Sequence, residues 1–154
     1  MPTNPDPAVY PLTLYYDASC PMCNAEMHNL MLRNQRELLV FVDVTATDFD
    51  AQPIGVRQQD LMTLIHARRA DGMLVRGVDV FRLAYVAAGL PWVSALVSLP
   101  VVGPLTDALY PWVARFRNQI PRWLTRALFE RATERAAHRA TAQSAACQQG
   151  RCEL

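Results

Sequence analysis

Two cysteines spaced for redox work stand early in the chain, in the run Asp17-Ala18-Ser19-Cys20-Pro21-Met22-Cys23. A thiol attacks a disulfide only as its thiolate. A cysteine at the start of a helix meets unpaired backbone N–H groups and the positive end of the helix dipole, and both favour the charged form. Cys20 holds that place if the helix begins at Pro21, a residue suited to the first helical position because its missing N–H costs nothing there. Cys23, one turn on, is spaced to displace whatever Cys20 has captured. Without a further signal, two unreactive thiols or half of a zinc site would fit the same spacing. Asp17 has two readings. A carboxylate beside Cys20 opposes its ionisation, so Asp17 is a poor activator of that thiol, yet it is placed to take a proton from Cys23. Alternatively it accepts backbone N–H bonds and shapes the turn.

These residues need a strand behind them and a helix in front. Thr13-Leu14-Tyr15-Tyr16 is a short β-prone run, and residues 21–36 turn helical, with Met27, Leu30 and Met31 at helical spacing. Residues 38–44 (LLVFVDV) are almost continuously apolar, as in a strand buried on both faces. A loop with a short helix near 56–61 follows, then a third strand over 62–68. Asp71-Gly72 marks a tight turn into a fourth strand at 73–75, and a helix covers 78–88. The expected order over 12–88 is β-α-β-(α)-β-β-α, with the last two strands paired as a hairpin.

The chain has 154 residues, 51% hydrophobic and 19% charged, which excludes general disorder. All 15 basic residues are arginine, and the net charge is +1. The charge is uneven: residues 1–60 carry eight acids against three arginines, and residues 115–139 carry seven arginines against two acids. A nucleic-acid binder shows a basic excess over its whole domain, so no nucleic-acid partner is expected. The first residues lack a basic, apolar leader. The expected location is therefore cytoplasmic, where structural disulfides are unusual. The expected organisation is one domain over 12–140, with a core at 12–88, a helical extension at 89–140, and irregular termini at 1–11 and 141–154.

The Asp17-x-x-Cys20-x-x-Cys23 motif after a Leu-Tyr-Tyr strand resembles the DCC family of thiol-disulfide oxidoreductases. Phe41-Val42-Asp43 resembles that family's second strand. Ile65-His66, Asp71-Gly72 and Gly77-Val78-Asp79-Val80-Phe81 resemble its hairpin and following helix. Leu99-Pro100-Val101-Val102-Gly103-Pro104-Leu105, with Tyr110, Ala114-Arg115 and Arg117, resembles its C-terminal helices. The similarity spans about residues 12–120 and implies an α/β, thioredoxin-like fold with a helical C-terminal extension. Cys20-Pro21-Met22-Cys23 is similar to a glutaredoxin's Cys-Pro-x-Cys, which implies glutathione or a disulfide-containing protein as partner. Those enzymes place a cis-proline before the third strand; here Leu61-Met62-Thr63-Leu64 has none, and Thr63 is the residue expected nearest the cysteines. The expected function is dithiol exchange with Cys20 as nucleophile, Cys23 resolving and Asp17 assisting, with no organic cofactor and no metal.

The remaining features are weaker. Cys147 and Cys152 form a tail dithiol that reads as a shuttle, as zinc ligands, or as incidental thiols. His28 lies two turns beyond Cys20, too far for a direct base; His66 alternates with Ile65 and is expected on the other sheet face; His138 falls on the C-terminal helix. Residues 83–106 have no charge but are broken by Pro91, Pro100 and Pro104, so two or three short buried helices are expected rather than a membrane span. Trp92, Trp112 and Trp123 read as packing residues. The arginine-rich segment from Arg122 to Arg139 reads as a solvated helix face; docking on the acidic N-terminal half of this chain or of a second copy, or on an anionic membrane surface, is open but not favoured. The rival function is a binding or adaptor module whose CxxC is vestigial or a zinc half-site.

Overall fold

The computed structural model describes residues 6–100, 102–116 and 123–124. Its centre is a strand β1, Leu12–Tyr16, whose burial leaves Leu12, Leu14 and Tyr15 inside. A helix α1, Pro21–Arg33, carries the chain across to a strand β2, Leu39–Asp43, which pairs parallel with β1. Parallel strands require such a crossover. Met27 and Leu30 face the core from α1, while Met31 is exposed. At the end of α1 the Asn34 side chain bonds both backbone groups of Leu39: Nδ2 donates to the carbonyl at 2.7 Å, and Oδ1 accepts the N–H at 3.0 Å. This fixes where the second strand begins.

A 3-10 turn, Gln52–Ile54, leads to a short helix α2, Gln58–Thr63. A strand β3, His66–Arg68, runs antiparallel to β1, and a strand β4, Leu74–Arg76, runs antiparallel to β3. The sheet order is β2-β1-β3-β4. The third strand is therefore shorter than the sequence reading of 62–68. Met62 and Thr63 belong to α2, which buries Leu61 and exposes both of them. A run of apolar residues this short fits either element, and the burial of one residue in a helical turn decides it.

Gly77 links β4 to a helix α3, Val78–Ala87, and two further helices follow, α4 (Pro91–Val97) and α5 (Val102–Phe116). Together with the four strands, these five helices give a thioredoxin-like α/β fold. One apolar cluster joins Leu12, Leu14, Met27 and Leu30 to Val80 and Ala84. A second gathers Tyr15, Val44, Ile54 and Leu61. Val9 and Tyr10, ahead of the first strand, also pack in the first cluster, and the Tyr10 hydroxyl donates to the Leu83 carbonyl at 2.9 Å.

The helices after residue 89 are not buried, contrary to the sequence expectation. No residue of α4 is buried, and α5 buries only Gly103 and Ala114. Trp92, Trp112 and Trp123 are 64%, 63% and 68% exposed rather than packed inside. Apolar composition alone does not tell which side chains find cover. Among the described residues no single helix is long and apolar enough to cross a membrane; α4 and α5 together have the length but meet at 90°. Most of the arginine-rich segment, His138, Cys147 and Cys152 lie outside the described residues.

Candidate active site

Cys20 is the N-cap of α1, with extended backbone (φ −82°, ψ 116°), and Pro21 follows in the first turn. Its Sγ accepts from the Cys23 backbone N–H at 3.4 Å and from the Cys23 thiol at 2.9 Å. Cys20 is buried at 1% exposure and Cys23 is half-buried. The sequence expectation of a dithiol at a strand-to-helix junction matches this geometry.

The turn that carries Cys20 is held by two carboxylates. Asp17, 3% exposed, accepts at Oδ1 from the Ser19 N–H (2.9 Å) and the Ser19 hydroxyl (2.5 Å), and its carbonyl accepts the Cys20 N–H at 3.3 Å. Asp43, at the end of β2, accepts at Oδ1 from the Ala18 N–H (3.3 Å), the Thr45 N–H (2.9 Å) and the Thr45 hydroxyl (2.6 Å). Partial burial pushes the Asp43 carboxyl up, but these donors outweigh it and hold the group below its ordinary range. Asp43 thus ties the second strand to the turn that carries Cys20.

A cavity of about 460 Å³ opens beside Cys23; Cys20 is not among the residues that line it. Asp17, Met22, Cys23 and Glu26 line it together with residues of α3, α4 and α5. Glu26 is buried and accepts a hydrogen bond from the Tyr85 hydroxyl. Burial pushes its carboxyl up, opposed by the Tyr85 bond and the Arg33 charge. Burial likewise pushes the Tyr85 hydroxyl strongly up, with the Glu26 charge adding to it. From α5, the Tyr110 hydroxyl accepts the Ile65 N–H at 3.2 Å, just ahead of β3, and its ring meets Phe81 edge-on.

Thr63 is not beside the cysteines. It is exposed on α2, and its hydroxyl donates to the Gln59 carbonyl; Leu61 and Ile65 line the cavity instead. His66 is buried in register with Tyr15, its Nδ1 2.9 Å from the Leu64 carbonyl, and does not line the cavity. His28 is exposed on α1. Among the described residues no group of three or more His, Cys, Asp or Glu side chains is placed to hold a metal ion.

Sequence reasoning missed Glu26, Asp43, Tyr85 and Tyr110. Glu26 had a readable signal, because it follows Cys23 by three residues and so shares its helix face. The two tyrosines reach the site only through packing of distant helices, which no local pattern encodes.

A dithiol at the first strand-to-helix junction of a mixed four-stranded sheet marks the class of thioredoxin-like folds. The chain belongs to the DCC1-like thiol-disulfide oxidoreductase family, whose pattern matches residues 14–123. It is similar to an uncharacterized chloroplastic protein of Arabidopsis thaliana, 34% identical over 118 residues, which cover 75% of this chain and 55% of that protein. The chain therefore matches only about half the length of that relative. No solved structure gives a significant match.

Proposed function

We propose that the protein catalyses thiol–disulfide exchange, with Cys20 attacking a substrate disulfide and Cys23 resolving the mixed disulfide. The observation that carries this is the pair of donors from Cys23, N–H and S–H, converging on Cys20 Sγ at the head of a 13-residue helix. Both donors favour charge on Cys20. In the reaction a Cys20–sulfur bond forms, the substrate S–S bond breaks, and the leaving thiolate takes a proton. Cys23 then displaces the captured sulfur, leaving a Cys20–Cys23 disulfide and a second free thiol. Glutathione or a protein dithiol returns the two electrons. Asp17 assists by holding the turn that presents Cys20; its two bonds from Ser19 favour this role over proton transfer. A cytoplasmic location fits a cycle that draws on glutathione.

A second reading, a binding module, is favoured by the exposed apolar side chains of α4 and α5, Trp92, Leu105 and Trp112 among them. Redox titration against glutathione buffers separates the two, read by alkylation and mass on a Cys147→Ser/Cys152→Ser background. Exchange predicts one two-electron transition, with Cys23→Ser trapping glutathione on Cys20. If no Cys20–Cys23 disulfide forms at any ratio, the binding module stands. In the same assay Asp17→Asn, which keeps an acceptor for Ser19, retains its rate within a few-fold. A loss of roughly 10²–10⁴-fold would make Asp17 the base instead.

A further inference from the structure

The cavity beside Cys23 is much larger than a dithiol needs. Its volume of about 460 Å³ lies within the range of roughly 300–1,000 Å³ that holds small molecules. Val78 and Phe81 of α3, Val97 of α4, and Leu109 and Val113 of α5 make its walls apolar. The charged groups that line it, Asp17 and Glu26, are both acidic. Among the described residues no arginine lines it, and the chain has no lysine.

These walls do not suit glutathione, whose two carboxylates would meet acidic side chains and no cation. An extended peptide fares no better. The Ile65 N–H, the backbone donor among the lining residues just ahead of β3, is already engaged by the Tyr110 hydroxyl.

We infer that the preferred substrates are neutral, low-molecular-weight disulfides with apolar substituents, one substituent seated in this cavity, which Cys23 lines, and its sulfur presented to Cys20 Sγ, 2.9 Å from Cys23 Sγ. The inference rests on the exchange at Cys20–Cys23 and names the substrate class for it. The balance is unchanged: R–S–S–R and the reduced pair give the Cys20–Cys23 disulfide and two R–SH. The protein dithiol is oxidised, the substrate is reduced, and the two thiol protons pass to the departing thiolates. Glutathione keeps its place as the reductant that resets the pair.

The test is a series of symmetrical dialkyl disulfides, methyl to butyl, mixed with the reduced full-length chain. Formation of the Cys20–Cys23 disulfide is followed by alkylation and mass, and each rate is divided by the rate of the same disulfide with dithiothreitol. The normalised rate is expected to rise with chain length, by up to roughly fourfold per methylene that becomes buried, and dibutyl disulfide is expected to outpace glutathione disulfide. Val97→Trp and Val113→Trp fill the cavity from two different helices. In whichever of them keeps the parent's cooperative unfolding, the ratio of dibutyl to glutathione rates is expected to fall at least tenfold. A flat series, or glutathione disulfide as the faster oxidant, overturns the substrate class while leaving the dithiol reaction intact. If no oxidant, glutathione disulfide included, closes the pair, the exchange reaction itself fails and the substrate class with it.

Discussion

Glu26 shows how one residue can be costly to bury and still be retained at a site. It shares a helix face with Cys23, and its carboxylate accepts from the Tyr85 hydroxyl. Its raised ionisation makes stability depend on pH with a definite sign. In the unfolded chain the carboxyl ionises near its ordinary value of 4.5, and in the folded protein it ionises later. Stability gained by holding that proton is complete below 4.5 and is lost as pH rises through the folded value. Glu26→Gln has no proton to lose and keeps an acceptor for Tyr85. Its unfolding free energy relative to the parent should therefore rise as pH increases above about 4.5, with a slope of at most ~1.4 kcal/mol per pH unit. A difference that stays flat, or falls, contradicts a buried, reluctant carboxyl. Asp43 has the opposite sign, because its donors are lost to it when it is protonated in acid.

At the level of elements, Gly77 decides how the hairpin hands over to α3. Its φ of +68° with ψ of −138° lies where a side chain is strained. A Cβ there would sit 3.6 Å from the Tyr110 ring, an ordinary contact, so the backbone and not a clash sets the cost. Gly77→Ala should lower unfolding free energy by about 1–3 kcal/mol, measured by denaturant titration; an unchanged midpoint would show that the link relaxes freely. The elements that sequence placed well are those with local determinants. Pro21 and the CxxC start a helix, the apolar run before Asp43 makes a strand, and Asp71-Gly72 turns a hairpin. Residues 61–64 misled because a single buried Leu61 within an apolar tetrapeptide is compatible with strand or helix. The cavity was invisible because its walls come from α3, α4 and α5, more than fifty residues beyond Cys20.

Across the whole molecule, weight is concentrated on the central strand. Leu12 and Leu14 are fully buried in one cluster, and Tyr15 points into the other. Leu14→Ala should cost about 2–5 kcal/mol. Leu105→Ala, at a site 56% exposed on α5, should change stability by no more than ~0.5 kcal/mol. Equal losses in denaturant midpoint would mean that the late helices share the core's load. In the proposed exchange the same architecture reaches the reaction through Cys20, since one sulfur is both the cap of α1 and the atom that would change oxidation state. Those two duties form a closed thermodynamic cycle. Whatever free energy the helix end gives to the thiolate reappears, with equal size, as a preference of the folded chain for its reduced form. A fold that grips this sulfur harder becomes a stronger oxidant when the pair is closed. The driving force for the next turnover is thus held in the backbone of the first helical turn.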